Sequence, residues 1–119
     1  MTIDKSALDS YKSIMGDEYC EFAVDLIDTF IDSSPSIMDE LRIAFENNDP
    51  ETFQRAAHSL KANGKTFGAG EFAELAYELE MIGKSGDLNE ALEKVNAFEL
   101  EYPLVISELN ELKSELLQS

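Results

Sequence analysis

Apolar residues recur every three or four positions along nearly the whole chain, and no useful stretch alternates with period two. That spacing predicts helices throughout and no sheet. With 119 residues, 44% of them hydrophobic, there is enough material for one core without covalent staples. Only three prolines and six glycines interrupt the pattern, so the helices can be long.

The interruptions set the expected elements. A short helix is predicted from Asp4, as N-cap, to about Ile14, broken by Met15-Gly16-Asp17. Asp17 opens a long segment with Tyr19, Phe22, Ala23, Leu26, Ile27, Phe30 and Ile31 on one stripe. Ser33-Ser34-Pro35 either ends it, with Ser34 capping a second helix, or bends a single rod. Asn47-Asn48-Asp49-Pro50 is a stop and restart in which Asp49 caps and Pro50 takes the first turn. The next helix ends near Gly68, and Gly68-Ala69-Gly70 makes a tight connection. A further helix carries Phe72, Leu75, Ala76, Leu79 and Ile82 and closes at Gly83-Lys84-Ser85-Gly86. Asp87 caps the last segment, which Pro103 should kink or divide. Short connections force neighbouring helices antiparallel. The expected fold is all-α: an antiparallel up-and-down four-helix bundle with a short extra N-terminal helix, forming a single domain over residues 1–119.

The formal charge is −16, from 25 acidic against nine basic residues. Such a surface repels phosphate backbones and anionic lipid, which argues against nucleic-acid or membrane binding. Cys20 is the only cysteine, so an intramolecular disulfide and a cysteine-built zinc site are both ruled out; its place beside an apolar stripe predicts a half-buried thiol. Met1 to Asp9 holds no apolar run of the secretory kind, and no stretch approaches 18 apolar residues. A cytoplasmic location is expected.

The acids are unevenly placed. Between Glu51 and Glu71 there are none, yet Arg55, Lys61 and Lys65, a third of the basic residues, lie in that window around the only histidine, His58. On a helical wheel Phe53, Ala56, Ala57, Leu60, Gly64 and Phe67 share the apolar stripe, while His58, Lys61 and Lys65 fall on the other side. An imidazole in water beside ammonium groups suits a negatively charged group better than it suits packing. Cations also favour helix C-termini in their own right, which is the plainer explanation of the two lysines. The ferritin-like Glu-x-x-His metal pattern is absent, because the residue three before His58 is Arg55.

His58-Ser59-Leu60-Lys61-Ala62-Asn63-Gly64, continuing to Phe67-Gly68-Ala69 and preceded by Ala56-Ala57, resembles the signature of histidine-containing phosphotransfer (HPt) domains. That signature runs His-x-Leu-Lys-Gly, then small residues, then an aliphatic-Gly-Ala ending. The resemblance extends to the acidic helix before a proline, the Asn-Asp turn before the histidine helix, and the Leu-Glu pair near the end of the next. Ala62 stands where the family has glycine, and Asn63 and Lys65 where small residues are more usual.

The resemblance implies a bundle that carries a phosphoryl group between receiver-domain aspartates. His58 would be the phosphorylated nucleophile and Lys61 would steady the phosphoryl oxygens. Glu80 would orient the imidazole, although within Glu78-Leu79-Glu80 it also reads as solvated charge. Lys65 and Lys84 would add positive charge nearby. The expected partners are response-regulator receiver domains or a hybrid sensor kinase, met by a monomer through a small interface of Ala62, the edge of Leu60 and exposed residues of the Asp17 helix. No cofactor is expected in this chain, Mg²⁺ coming with the receiver. Without a Walker-type loop the chain reads as a phosphocarrier, not an autonomous kinase. The alternative is an acidic helical protein-interaction module without phosphotransfer. The initiator methionine and the full set of helices favour a free-standing protein.

Overall fold

In the computed structural model, which describes residues 2–118, the heptad-like stripes of the sequence become five helices: α1 (Lys12–Met15), α2 (Tyr19–Glu46), α3 (Pro50–Thr66), α4 (Gly70–Ser85) and α5 (Leu92–Leu117). Among the described residues there is no strand. Each long helix packs on the next, and α5 closes back on α2, so α2 to α5 form a four-membered ring around one core. None of the helices is long and apolar enough to cross a membrane, among the described residues.

The core is aromatic at the level of α2 and α5. Phe72 stacks on Phe98 with centroids 4.4 Å apart, and Phe30 meets Phe67 edge-on at 5.7 Å. Phe53, Ala56, Ala57, Leu60, Gly64 and Phe67, the stripe read from the sequence, are all buried. Asp49 caps α3 by accepting from Thr52 N at 3.2 Å, with Pro50 in the first turn.

Three expected boundaries moved, and two expected interruptions are absent or leave the helix whole. The helix expected from Asp4 is two 3₁₀ turns (Asp9–Tyr11 and Gly16–Glu18) around the single turn of α1. Asp4 does not cap it: its carboxylate accepts from Ser6 N and Oγ in a local turn. This segment is instead tied to the bundle, with Asp4 N donating to Phe67 O and Ile3 and Leu8 buried. Consequently the long helix starts at Tyr19 and not at Asp17.

Ser34 caps nothing. The helix α2 runs unbroken through Pro35, and the fully buried Ser34 hydroxyl bonds the Tyr102 hydroxyl at 2.6 Å. Nor does Pro103 divide α5. Asp87 holds a turn through Asn89 N at 3.0 Å, while α5 itself begins at Leu92. Cys20 is half-buried, as expected.

Candidate functional site

The helices α3 and α4 are drawn together by two glycines whose lack of a side chain matters. A Cβ on Gly64 would fall 2.9 Å from Phe72 Cδ2, and one on Gly83 would fall 2.9 Å from both Cα and N of Gln54. The second approach is backbone to side-chain-free backbone. It lies one helical turn from His58 on α3 (Gln54 precedes it by four) and one turn from Glu80 on α4 (Gly83 follows it by three). From the sequence alone, Gly83 is only part of a helix-ending run. Its signal was its register: it continues the buried Phe72, Ala76, Leu79 stripe and is itself buried.

That closeness lets Glu80 reach His58. Glu80 Oε2 lies 2.7 Å from His58 Nδ1, and Glu80 Oε1 accepts from Lys61 Nζ at 2.7 Å. The carboxylate is buried, at 4% exposure, while the His58 side chain is 62% exposed. Burial alone would push the Glu80 carboxyl up; hydrogen bonds and charge from Lys61 and His58 outweigh it and hold the group below the usual carboxylate range. An ionised Glu80 can only accept, so Nδ1 carries the proton. The lone pair is then on Nε2, away from Glu80.

The structure places the other expected residues unequally. Lys61 is not the outward-pointing lysine of the helical wheel: its side chain is 17% exposed, its ammonium is spent on Glu80, and it sits 5.5 Å from the Tyr77 ring centroid. A four-carbon stem can cross from the edge of one helix face to a neighbouring helix, and a buried carboxylate there gives it reason to. Lys84 lies with His58, Ser59, Glu80, Gln54 and Arg55 around an open cleft of about 470 Å³. Lys65 is not in that cleft; with Lys61 and Tyr77 it lines a separate groove beside the start of α4. Leu60 is fully buried and offers no edge to a partner, whereas Ala62 is exposed.

An exposed imidazole with one nitrogen fixed by a buried carboxylate, at the wall of a cation-lined cleft, is built for nucleophilic chemistry on an anion. The family model named Hpt domain matches residues 25–118, from early α2 to the end of α5. The chain belongs to the Hpt domain family. Its function is histidine phosphotransfer in a phosphorelay. Among solved structures this Hpt domain is similar to histidine-containing phosphotransfer protein B (HptB) from Pseudomonas aeruginosa PAO1, at 27% identity and a TM-score of 0.82 over 96% of each chain. It also shares its fold with the HPT domain of a sensor hybrid histidine kinase from Shewanella, at 18% identity and a TM-score of 0.66 over 98% of this chain and 92% of that one. No curated protein matches it in sequence.

Proposed function

We propose that His58 is the residue that carries the phosphoryl group, on Nε2, and that Glu80 and Lys61 position it. The observation that carries this reading is the 2.7 Å contact between Nδ1 of the exposed His58 and the buried, ionised Glu80. In the forward step the Nε2 lone pair forms a bond to the phosphorus of a receiver's phospho-aspartate. The P–O bond to the aspartate breaks, and its electron pair leaves on that carboxylate. The imidazole ring gains positive charge as the N–P bond forms, and its Nδ1 proton stays against Glu80, whose negative charge stabilises it. The reverse sequence returns the group.

Lys61 acts through Glu80. Its ammonium offsets the cost of burying the carboxylate and fixes the second oxygen, so that the first points at Nδ1. Receiver domains bring the acidic pocket and the Mg²⁺ that shields the phosphoryl charge during transfer. The chain works as one Hpt domain, as a cytoplasmic monomeric phosphocarrier, and meets receivers or a hybrid sensor kinase through a small transient interface.

The test is incubation with a phosphorylated receiver and Mg²⁺. The expected result is acid-labile, base-stable phosphate on the wild-type chain and none on His58→Gln. Uptake that survives His58→Gln would assign the chemistry elsewhere, and no uptake by the wild type would leave the chain a helical binding module.

A further inference from the structure

In so acidic a chain, the cations that are not neutralised mark where negative charge is wanted. Six of the nine basic side chains are in ion pairs: Lys5 with Glu115, Lys12 with Asp9, Arg42 with Glu99, Lys61 with Glu80, Lys94 with Glu78 and Lys113 with Asp28. Among the described residues the three with no carboxylate in ion-pair range are Arg55, Lys65 and Lys84. Two of these, Arg55 and Lys84, line the same cleft as His58.

From this placement we infer that Arg55 contacts the phosphoryl oxygens on His58 and, with Lys84 from the facing helix, forms the cationic clamp that Lys61 does not supply. The inference rests on His58 being the phosphoryl carrier. Arg55 precedes His58 by three residues, so the two side chains are neighbours on one face of α3. Lys84 follows Gly83, and Arg55 follows Gln54. The tight crossing of α3 and α4 therefore brings the two cations to the same cleft. The only hydrogen bond of the Arg55 guanidinium among the described residues is a 3.3 Å contact with Thr52 Oγ1, which leaves its fork of N–H donors for an anion. Lys61 is held on the Nδ1 side by Glu80, whereas the phosphoryl group grows from Nε2. A guanidinium suits the task, since it stays charged and meets two phosphate oxygens at once.

Potassium phosphoramidate tests this without a receiver. Its phosphorus bonds to Nε2 as the P–N bond to the donor breaks, and ammonia leaves with the electron pair. Uptake would be followed by phosphate-affinity electrophoresis across a range of ionic strength in wild type, Arg55→Gln, His58→Gln and Lys113→Gln. The last removes a cation away from the cleft.

The expected result is uptake about five- to tenfold slower in Arg55→Gln, with a flatter salt dependence, an unchanged Tm and no effect of Lys113→Gln. Wild-type uptake in Arg55→Gln, with none in His58→Gln, overturns the role of Arg55 and leaves the carrier intact. Slower uptake that keeps the full salt dependence, or that comes with a lower Tm, also overturns it, because the effect is then structural. Equal uptake in wild type and His58→Gln refutes the carrier assignment itself.

Discussion

Replacing Gly83 with alanine puts a methyl group where a hydrogen was, and it should slow phosphotransfer while leaving the bundle folded. The new Cβ would sit 2.8 Å from Gln54 Cβ and 2.9 Å from Gln54 Cα and N. The obstacle is helix backbone, which cannot swing aside. Restoring an ordinary carbon–carbon separation of ~3.5 Å requires α3 and α4 to part locally by about 0.5–1 Å. The Glu80–His58 contact, one turn away, is 2.7 Å long. Most of that displacement carried to it would stretch the contact past hydrogen-bond range. Overpacking costs about 1–3 kcal/mol, and the better helix propensity of alanine returns up to about 1 kcal/mol, so the net loss is about 0–2 kcal/mol. A misplacement of this size at a reacting group slows chemistry by about 10- to 100-fold. Gly70→Ala is the control, because a Cβ there meets nothing within 4 Å. Stability would be read from thermal denaturation and the site from phosphate uptake by each variant. Gly83→Ala working at the wild-type rate, or losing no more activity than Gly70→Ala, would refute the claim that this crossing sets the catalytic geometry.

Three further variants separate the charges of the site and the core. Lys61→Met should lower stability by about 1–3 kcal/mol, seen as a reduced Tm, because it strands half of a buried carboxylate; an unchanged Tm would return Lys61 to the surface. Glu101 is buried on α5 with Oε2 unpartnered, and desolvation, reinforced by Glu71 and Glu108, raises its carboxyl above the usual range. Glu101→Gln should therefore stabilise the protein by about 1 kcal/mol at pH 7. The gain should shrink as pH falls through the raised value, since native Glu101 then takes up its proton before the unfolded chain does. Glu80 has the opposite sign: its lowered carboxyl stabilises the fold at neutral pH and loses that contribution as pH falls through its folded value. Chemical denaturation of wild type, Glu101→Gln and Glu80→Gln between pH 3 and 7 checks both slopes.

The helix content, the α3 stripe and the exposure of His58 were legible because each depends on period and capping within one segment. The Asp49-Pro50 start succeeded for that reason. The Asp4 helix failed because residues 2–8 serve a distant surface: Glu108 accepts from Thr2 N and Ile3 N, and no local pattern encodes that. At Ser34 the sequence leaves two helices or one rod open for the same cause, because the partner that holds Ser34 inside a single helix, Tyr102, lies on another helix. At the site, a wheel drawn for α3 alone put Lys61 in solvent because it contains no α4. Only the packing of Gly83 on Gln54 brings Glu80 within reach, and that turns an apparently exposed lysine into the half-buried partner of a buried carboxylate.

The proposed chemistry turns on which imidazole nitrogen takes phosphorus. Phosphorylated chain with ¹⁵N-labelled histidine, observed by long-range ¹H–¹⁵N and ³¹P NMR, reports this directly, since His58 is the only histidine. Phosphorus on Nε2, with a protonated Nδ1 shifted by its bond to Glu80, is the predicted spectrum. Phosphorus on Nδ1 would contradict it, for that nitrogen would then have left the carboxylate on which the whole arrangement is built.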